Sequence, residues 1–555
     1  MATAPNVRNA PAPAVPVQPP RPRRYSESTL LVALAGSLLY WAALPPLGLS
    51  LLAFLAPVPL LVLAQRQRLT GWRPYTSLWL AGFAFWMATL YWLTLPHWAT
   101  SFGWVALSFY LAFYFPALVA LTRVALHGYR IPLILAAPVV WTGLEFAQAH
   151  LMTGFAMAPL SHTQFRHLML IQISDLVGEY GVTFVIVFVA ACLVRMLPIE
   201  GRRAAWWPVL PSAALLAAVL AYGWNTMEVP GRPGPKVALI QGSIDTEMKS
   251  DPTQGQRIFE EYFGLSRQAL SHATDVDLVV WPETMFRETW FTFAPDFVPS
   301  KNARFTPAEV EIYSHEGVRR TVRSLGRPAL FGIDVAHQTA SAMERYNSAL
   351  AVDEQGRVIG RYDKVHRVMF GEYVPWADRF PWLYRLTPLP GGINRGSGGA
   401  AITVRGVSYA PNICFESTLA HVIRRQLVEL RRRGQEPDVL VNLTNDGWFW
   451  GSTELDLHLI CGVFRAVECR KPFLVAANTG FSAWIDPSGK IVEQGPRRER
   501  GYIIARPQLY DRQSWYSRHG DWLAGVCLAG CCVLAPAGAL RWWRARARRA
   551  AAAAA

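Results

Sequence analysis

At 555 residues the chain is longer than one ordinary domain, and 52% hydrophobic residues, 22 tryptophans and only 17% charge exclude an ordinary soluble protein and call for a membrane part. The formal charge of +15 does not imply nucleic acid, because the arginines cluster at the ends of apolar runs and at the C-terminus, not on one polar face. The seven cysteines form no CxxC pair and lie in no zinc-type histidine pattern, so neither a disulfide framework nor a metal is inferred, and no cofactor is expected.

Residues 1–26, rich in Pro, Ala and Val and ending in Arg21-Pro22-Arg23-Arg24, are expected to be a disordered tail. Seven apolar stretches follow at about 28–44, 49–65, 75–95, 102–126, 131–150, 180–197 and 206–225, with an eighth near 521–540. Most approach the ~20 residues that a spanning helix requires. The fifth carries Glu145 and His150, which are tolerated in a span only where they face protein or water. Arginine distribution supports all eight: with the N-terminus inside, each cytoplasmic segment is basic, whereas the opposite loops hold only Arg166. The reading is a polytopic α-helical membrane domain of about eight spans, seven of them within 27–225 and the last at 520–541, with a basic cytoplasmic tail at 542–555. Residues 226–515 then lie on the non-cytoplasmic side.

From Val237 onward, short β-rich runs alternate with amphipathic stretches. Strands are predicted at Val237–Gln241, Asp277–Trp281, Ala329–Ile333, Ser348–Val352, Val407–Ile413, Val439–Leu443 and Phe473–Ala477, with helices at about 253–271, 307–325, 418–432 and 454–470. Turn signals at Asp353–Gly356 and Asp486–Gly489 join neighbouring strands. This is an α/β domain with a mixed sheet covered by helices. No internal repeat is visible.

Cys414 follows one of these runs and precedes Ser417, a candidate cap for a helix near Leu419; a helix N-terminus there would favour thiolate. By itself such a cysteine is more often a small inert hydrophobe than a catalyst. A thiol that attacks a carbonyl needs a base and an oxyanion partner. Glu283 follows a strand end in Trp281-Pro282-Glu283-Thr284, Lys364 sits where another strand should end, and Glu372 lies in Gly371-Glu372-Tyr373-Val374-Pro375.

In that chain order these pieces resemble the nitrilase superfamily across about 237–510. With eight spans outside the domain they resemble its membrane branch, the apolipoprotein N-acyltransferase family. Asn445-Asp446-Gly447-Trp448-Phe449 and Gly178-Glu179-Tyr180-Gly181-Val182 look like the same branch. The resemblance implies an αββα sandwich, a catalytic triad of Glu283 (base), Lys364 (oxyanion) and Cys414 (nucleophile), supporting acids Glu372 and Glu416, and substrate contacts at Asn445 and Trp448. It further implies acyl transfer from a membrane phospholipid to a diacylglyceryl apolipoprotein, through a thioester, by a monomer at the outer face of a bacterial inner membrane. Arg367-Val368-Met369, Phe415 and the Asp245–Ser250 loop depart from the family pattern. A membrane-tethered amidase is the alternative, and a mobile flap is expected at Pro388–Gly396.

Overall fold

The structure, a computed structural model, describes residues 28–199, 203–227, 231–300, 302–386 and 391–554. The expected N-terminal tail and residues 388–390 of the expected flap lie outside these. Helices occupy all eight predicted apolar stretches: α1 (Thr29–Ala43), α2 (Pro57–Gln65), α3 (Pro74–Thr89), α4 (Thr100–Ala112), α5 (Tyr114–Arg123), α6 (Leu133–Gln148), α7 (Glu179–Met196), α8 (Val209–Met227), and a last helix, Trp522–Ala554, that runs on through the basic tail. Among the described residues, four helical segments are long and apolar enough to cross a membrane: Thr100–Gly128, which joins α4 and α5, then α7, α8 and Trp522–Ala552. The others are shorter. Glu145 in α6 faces protein, where its Oε1 accepts the Leu160 N–H at 2.9 Å and the Trp141 indole N–H at 3.3 Å. Gly143 lets α6 press against the last helix, since a Cβ there would stand 2.7 Å from the Cys527 carbonyl.

The second half holds two six-stranded sheets face to face. Strands are β1 (Lys236–Gln241), β2 (Val276–Phe293), β3 (Ala329–Gln338), β4 (Met343–Val352), β5 (Val358–Asp363), β6 (Ile402–Val404), β7 (Val407–Ile413), β8 (Val439–Thr444), β9 (Phe473–Ala477), β10 (Ala483–Ile485), β11 (Ile491–Gln494) and β12 (Gly501–Ala505). One sheet runs β12-β1-β2-β3-β4-β5 and the other β6-β7-β8-β9-β10-β11. Read in those orders both show the same succession of antiparallel, parallel, parallel, antiparallel and antiparallel neighbours. The domain is therefore a topological repeat, although its sequence shows none.

Alternation along the strands builds the layers. Val237 and Leu239 join Val407, Tyr409, Val439 and Val441 in the core between the sheets. Ala238 and Ile240 turn outward beneath α9 (Gly255–His272) and α10 (Pro307–Leu325), packing on Tyr262 and Val318. On the other outer face, α11 (Ala420–Arg432) and α12 (Glu454–Cys469) cover Ala410, Leu440 and Val475, and this core continues without a break into the membrane helices. The αββα sandwich is thus present, with α12 as the layer shared by the two halves.

Buried charge joins those halves. Arg465 of α12 places Nη2 2.9 Å from Glu179 Oε2 at the start of α7, and Glu468 accepts the Glu179 N–H at 2.8 Å. Arg465 Nε lies 2.8 Å from Glu468 as an ion pair without hydrogen-bond alignment. Arg470 grips Asp175 at 2.7 Å. Removing one member of such a pair strands the other in a dry interior, so Glu179→Ala should lower unfolding stability by about 3–5 kcal/mol in detergent; an unchanged thermal midpoint would contradict this.

Candidate active site

The three triad candidates stand where a strand stops or bends. Between the pairs Trp281↔Phe331 and Phe286↔Ile333, β2 bulges, so that Pro282–Met285 face Gly332 alone. A Cβ on Gly332 would meet the Pro282 carbonyl at 2.1 Å, so only glycine admits the bulge. Glu283 therefore projects from a bulge within a strand, not from the strand end that the sequence predicts. Lys364 follows β5, and Cys414 follows β7.

The structure brings Glu283 and Glu372 onto Lys364 near Cys414, and places Glu416 on the backbone that follows β5 and ends β7. Lys364 is 1% exposed, with Nζ 2.6 Å from Glu372 Oε1 and 3.5 Å from Glu283 Oε1. Glu283 also accepts from Asn347 Nδ2 at 2.7 Å and from the Asn445 N–H at 3.0 Å. Glu372 Oε2 accepts the Val368 N–H at 2.8 Å; the departure at Arg367–Met369 thus supplies a backbone group, which side-chain identity does not alter. Glu416 accepts four bonds: Val365 N–H at 2.7 Å, His366 N–H at 2.8 Å, Ile413 N–H at 2.7 Å and Tyr362 O–H at 2.8 Å. Burial raises the Glu416 carboxyl, against the pull of the His366 and Ile413 N–H groups. Asn445 turns its side chain inward, accepting from Asn478 Nδ2 at 2.8 Å, while Trp448 stays exposed.

Electrostatics correct one expectation. Cys414 begins a 3-10 turn, Cys414–Thr418, and α11 starts only at Ala420 without a Ser417 cap, so the thiol is not at the N-terminus of that α-helix. Burial, then the Glu283 charge, push the Cys414 thiol well above its ordinary range; Lys364 acts in the opposite direction. The resting group is a thiol that needs a base. Burial opposes charge on Lys364, yet Glu372 and then Glu283 hold it well above the usual lysine range, so it is an ammonium at neutral pH. Burial, then Lys364, lower His366 to about 4, which leaves it neutral.

Sequence reasoning missed several neighbours. Lys249 donates through Nζ to Thr284 Oγ1 beside Glu283. His458, at the end of an i,i+4 Glu454–His458 pair, bonds Asp446 Oδ1 at 2.9 Å. Asp446, Glu454 and His458 gather ligand-type atoms within 4.8 Å of one another, but both ring nitrogens of His458 already have hydrogen-bond partners, Nε2 bonding Ser417 Oγ at 2.8 Å. Gly391–Gly396 of the expected flap are tied down, with the Ile393 N–H on the Glu372 carbonyl at 3.0 Å and the Gly396 N–H on the Lys364 carbonyl at 2.9 Å.

Residues 36–192 match the family described as apolipoprotein N-acyltransferase N-terminal domain, and residues 236–517 match the carbon-nitrogen hydrolase family. An apolipoprotein N-acyltransferase of Rhodopirellula baltica is 32% identical over 89% of this chain and 94% of its own length. One from Geobacter metallireducens is 35% identical over 91% and 94%. The chain belongs to the apolipoprotein N-acyltransferase family. Among solved structures, a Saccharomyces cerevisiae member of the nitrilase superfamily is similar at 17% identity and a TM-score of 0.35, over 51% of this chain and 92% of its own. A carbon-nitrogen hydrolase from Helicobacter pylori is similar at 12% identity and 0.35, over 53% and 92%. Phe415, one of the departures from the resemblance, packs with Tyr180 of the membrane half and stacks on His366 at 6.1 Å.

The charge arrangement predicts opposite shifts in thiol titration, read from the pH dependence of Cys414 alkylation. Glu283→Gln removes a negative neighbour and should lower the apparent thiol pKa, while Lys364→Met removes a positive one and should raise it. Shifts of the same sign would contradict the assignment.

Proposed function

We infer that the chain transfers a fatty acyl group from a membrane phospholipid to the N-terminal amine of a diacylglyceryl cysteine on apolipoproteins, completing their N-acylation. The single observation that carries this reading is the set Glu283, Lys364, Glu372 and Cys414 in a domain whose helix layer is continuous with membrane helices. In the first step Glu283 takes the Cys414 proton, and the sulfur attacks the ester carbonyl carbon. Lys364 and the Phe415 N–H stabilise the oxyanion. The C–O bond breaks, Glu283 returns the proton to the departing lysophospholipid oxygen, and a thioester remains. In the second step the cysteine amine attacks that thioester, Glu283 receives the amine proton, the C–S bond breaks as the amide forms, and Glu283 returns the proton to the departing Cys414 sulfur.

The finer topology completes the proposal. In this reading eight apolar segments span, the shorter ones inside the bundle, and the basic segments at their proposed cytoplasmic ends support residues 226–515 on the periplasmic side of the inner membrane. The outward apolar surface of α8 and the last helix, including Leu210, Trp224, Val526 and Val533, suits lipid contact. Trp448, exposed after β8, meets the substrate; Asn445 acts beside it by holding Glu283. One chain supplies every catalytic group, so a monomer suffices, and the steps use no cofactor. Complementation tests the function: the wild-type gene should restore N-acylation in a bacterium lacking it, and Cys414→Ala should not. Restoration by Cys414→Ala, or turnover of soluble amides without lipid acylation, would overturn it.

A further inference from the structure

The backbone at Cys414 is held in a conformation that side-chain-bearing residues rarely adopt, with φ at 52°. Such a residue costs on the order of 1–3 kcal/mol unless its surroundings fix it. What fixes it is its carbonyl. Asn442 Nδ2 donates to the Cys414 oxygen at 3.1 Å, Ser417 Oγ donates at 3.2 Å, and His458 Nε2 lies 3.2 Å away. His458 Nε2 also stands 2.8 Å from Ser417 Oγ, and its Nδ1 is 2.9 Å from Asp446 Oδ1. Asp446 is itself held by Thr444 Oγ1 at 2.7 Å. All these side chains except Cys414 are nearly inaccessible.

In a planar trans peptide the N–H points opposite to the C=O. Donors that pin the Cys414 carbonyl from below therefore aim the Phe415 N–H to the other side, and among the described residues that N–H has no acceptor. We propose that His458, oriented by Asp446 and assisted by Asn442 and Ser417, is a positioning residue that sets the Cys414–Phe415 peptide so that its N–H faces the oxyanion. Burial opposes a charge on this imidazole, but Asp446 first and Glu454 after it lift it to about 9, so both ring nitrogens carry protons at neutral pH. Each nitrogen then donates, Nδ1–H to Asp446 and Nε2–H toward Ser417 and the Cys414 carbonyl. This role gives Asp446 of the Asn445–Phe449 segment a function separate from substrate contact, and it rests on the acyl-transfer reading above.

The test separates two reactions of one sulfur. Acylation by phospholipid passes through an oxyanion, whereas alkylation by iodoacetamide displaces iodide and forms none. With the full-length enzyme in detergent, His458→Gln should slow appearance of the Cys414 acyl adduct by roughly 10- to 100-fold, part of the loss that follows removal of an oxyanion donor. The KM for phospholipid and the limiting alkylation rate of the thiolate, read at the high-pH plateau, should be unchanged. Asn442→Ala, which removes another donor to the same carbonyl, should act in the same direction and serves if His458→Gln does not fold. Acylation at the wild-type rate in both variants, or acylation and alkylation falling together, would overturn the positioning role. An unacylated wild-type Cys414 would instead overturn the acyl-transfer reading.

Discussion

The site depends on one buried carboxylate that touches no reacting atom. Glu416 accepts from three backbone N–H groups and a tyrosine, and its partners come from both sheets: Tyr362, Val365 and His366 around the end of β5, and Ile413 at the end of β7. The lysine on one sheet and the cysteine on the other are thereby fixed by the same side chain. With four partners Glu416 has its lone-pair sites filled, and a neutral substitute would leave buried N–H groups unpaired at the two strand ends the chemistry uses. Lys364 and Cys414 keep their relation because the sheets cannot slide past this point.

The membrane half is joined to that frame by charge as well as by apolar packing. Arg465 reaches Glu179 at the start of α7 and also directs Nη1 at the Ser417 and Thr418 carbonyls, at 3.4 and 3.2 Å. The turn that carries the nucleophile is therefore bonded to the same guanidinium that holds the membrane helices. Buried ion pairs are poor sources of net stability compared with apolar packing, but they fix register strictly, since any slip leaves a charge unpaired. This network holds the turn that carries Cys414 at a fixed position relative to the helices of the membrane half.

Much of the arrangement was legible in the sequence because its parts are local. Strand ends followed by a lysine or a thiol announce Lys364 and Cys414, an acid after a β-rich run announces Glu283 although the strand continues past it, and the helices α9 to α12 follow from amphipathic spacing. Short strands escaped notice: Ile491–Gln494 is largely exposed, and Ile402–Val404 is only a three-residue edge. The β2 bulge depends on what lies across from it, Gly332 some fifty residues later, which no local pattern encodes. The same holds for His458, whose meaning lies in a carbonyl 44 positions away. The expected helix-dipole activation of Cys414 failed for a related reason: a 3-10 turn intervenes, and burial outweighs any dipole. The repeat in topology stayed hidden because the two halves share strand order and direction without sharing visible residues.

The account turns on Cys414 carrying an acyl chain between two lipids. Intact-mass measurement of the purified enzyme after exposure to phospholipid alone, followed by a diacylglyceryl-cysteine peptide, tests this directly. The account predicts one acyl mass on Cys414, lost on addition of the peptide as the same mass appears on the peptide's N-terminal amine. An enzyme that N-acylates the peptide while Cys414 never carries the acyl group would contradict it.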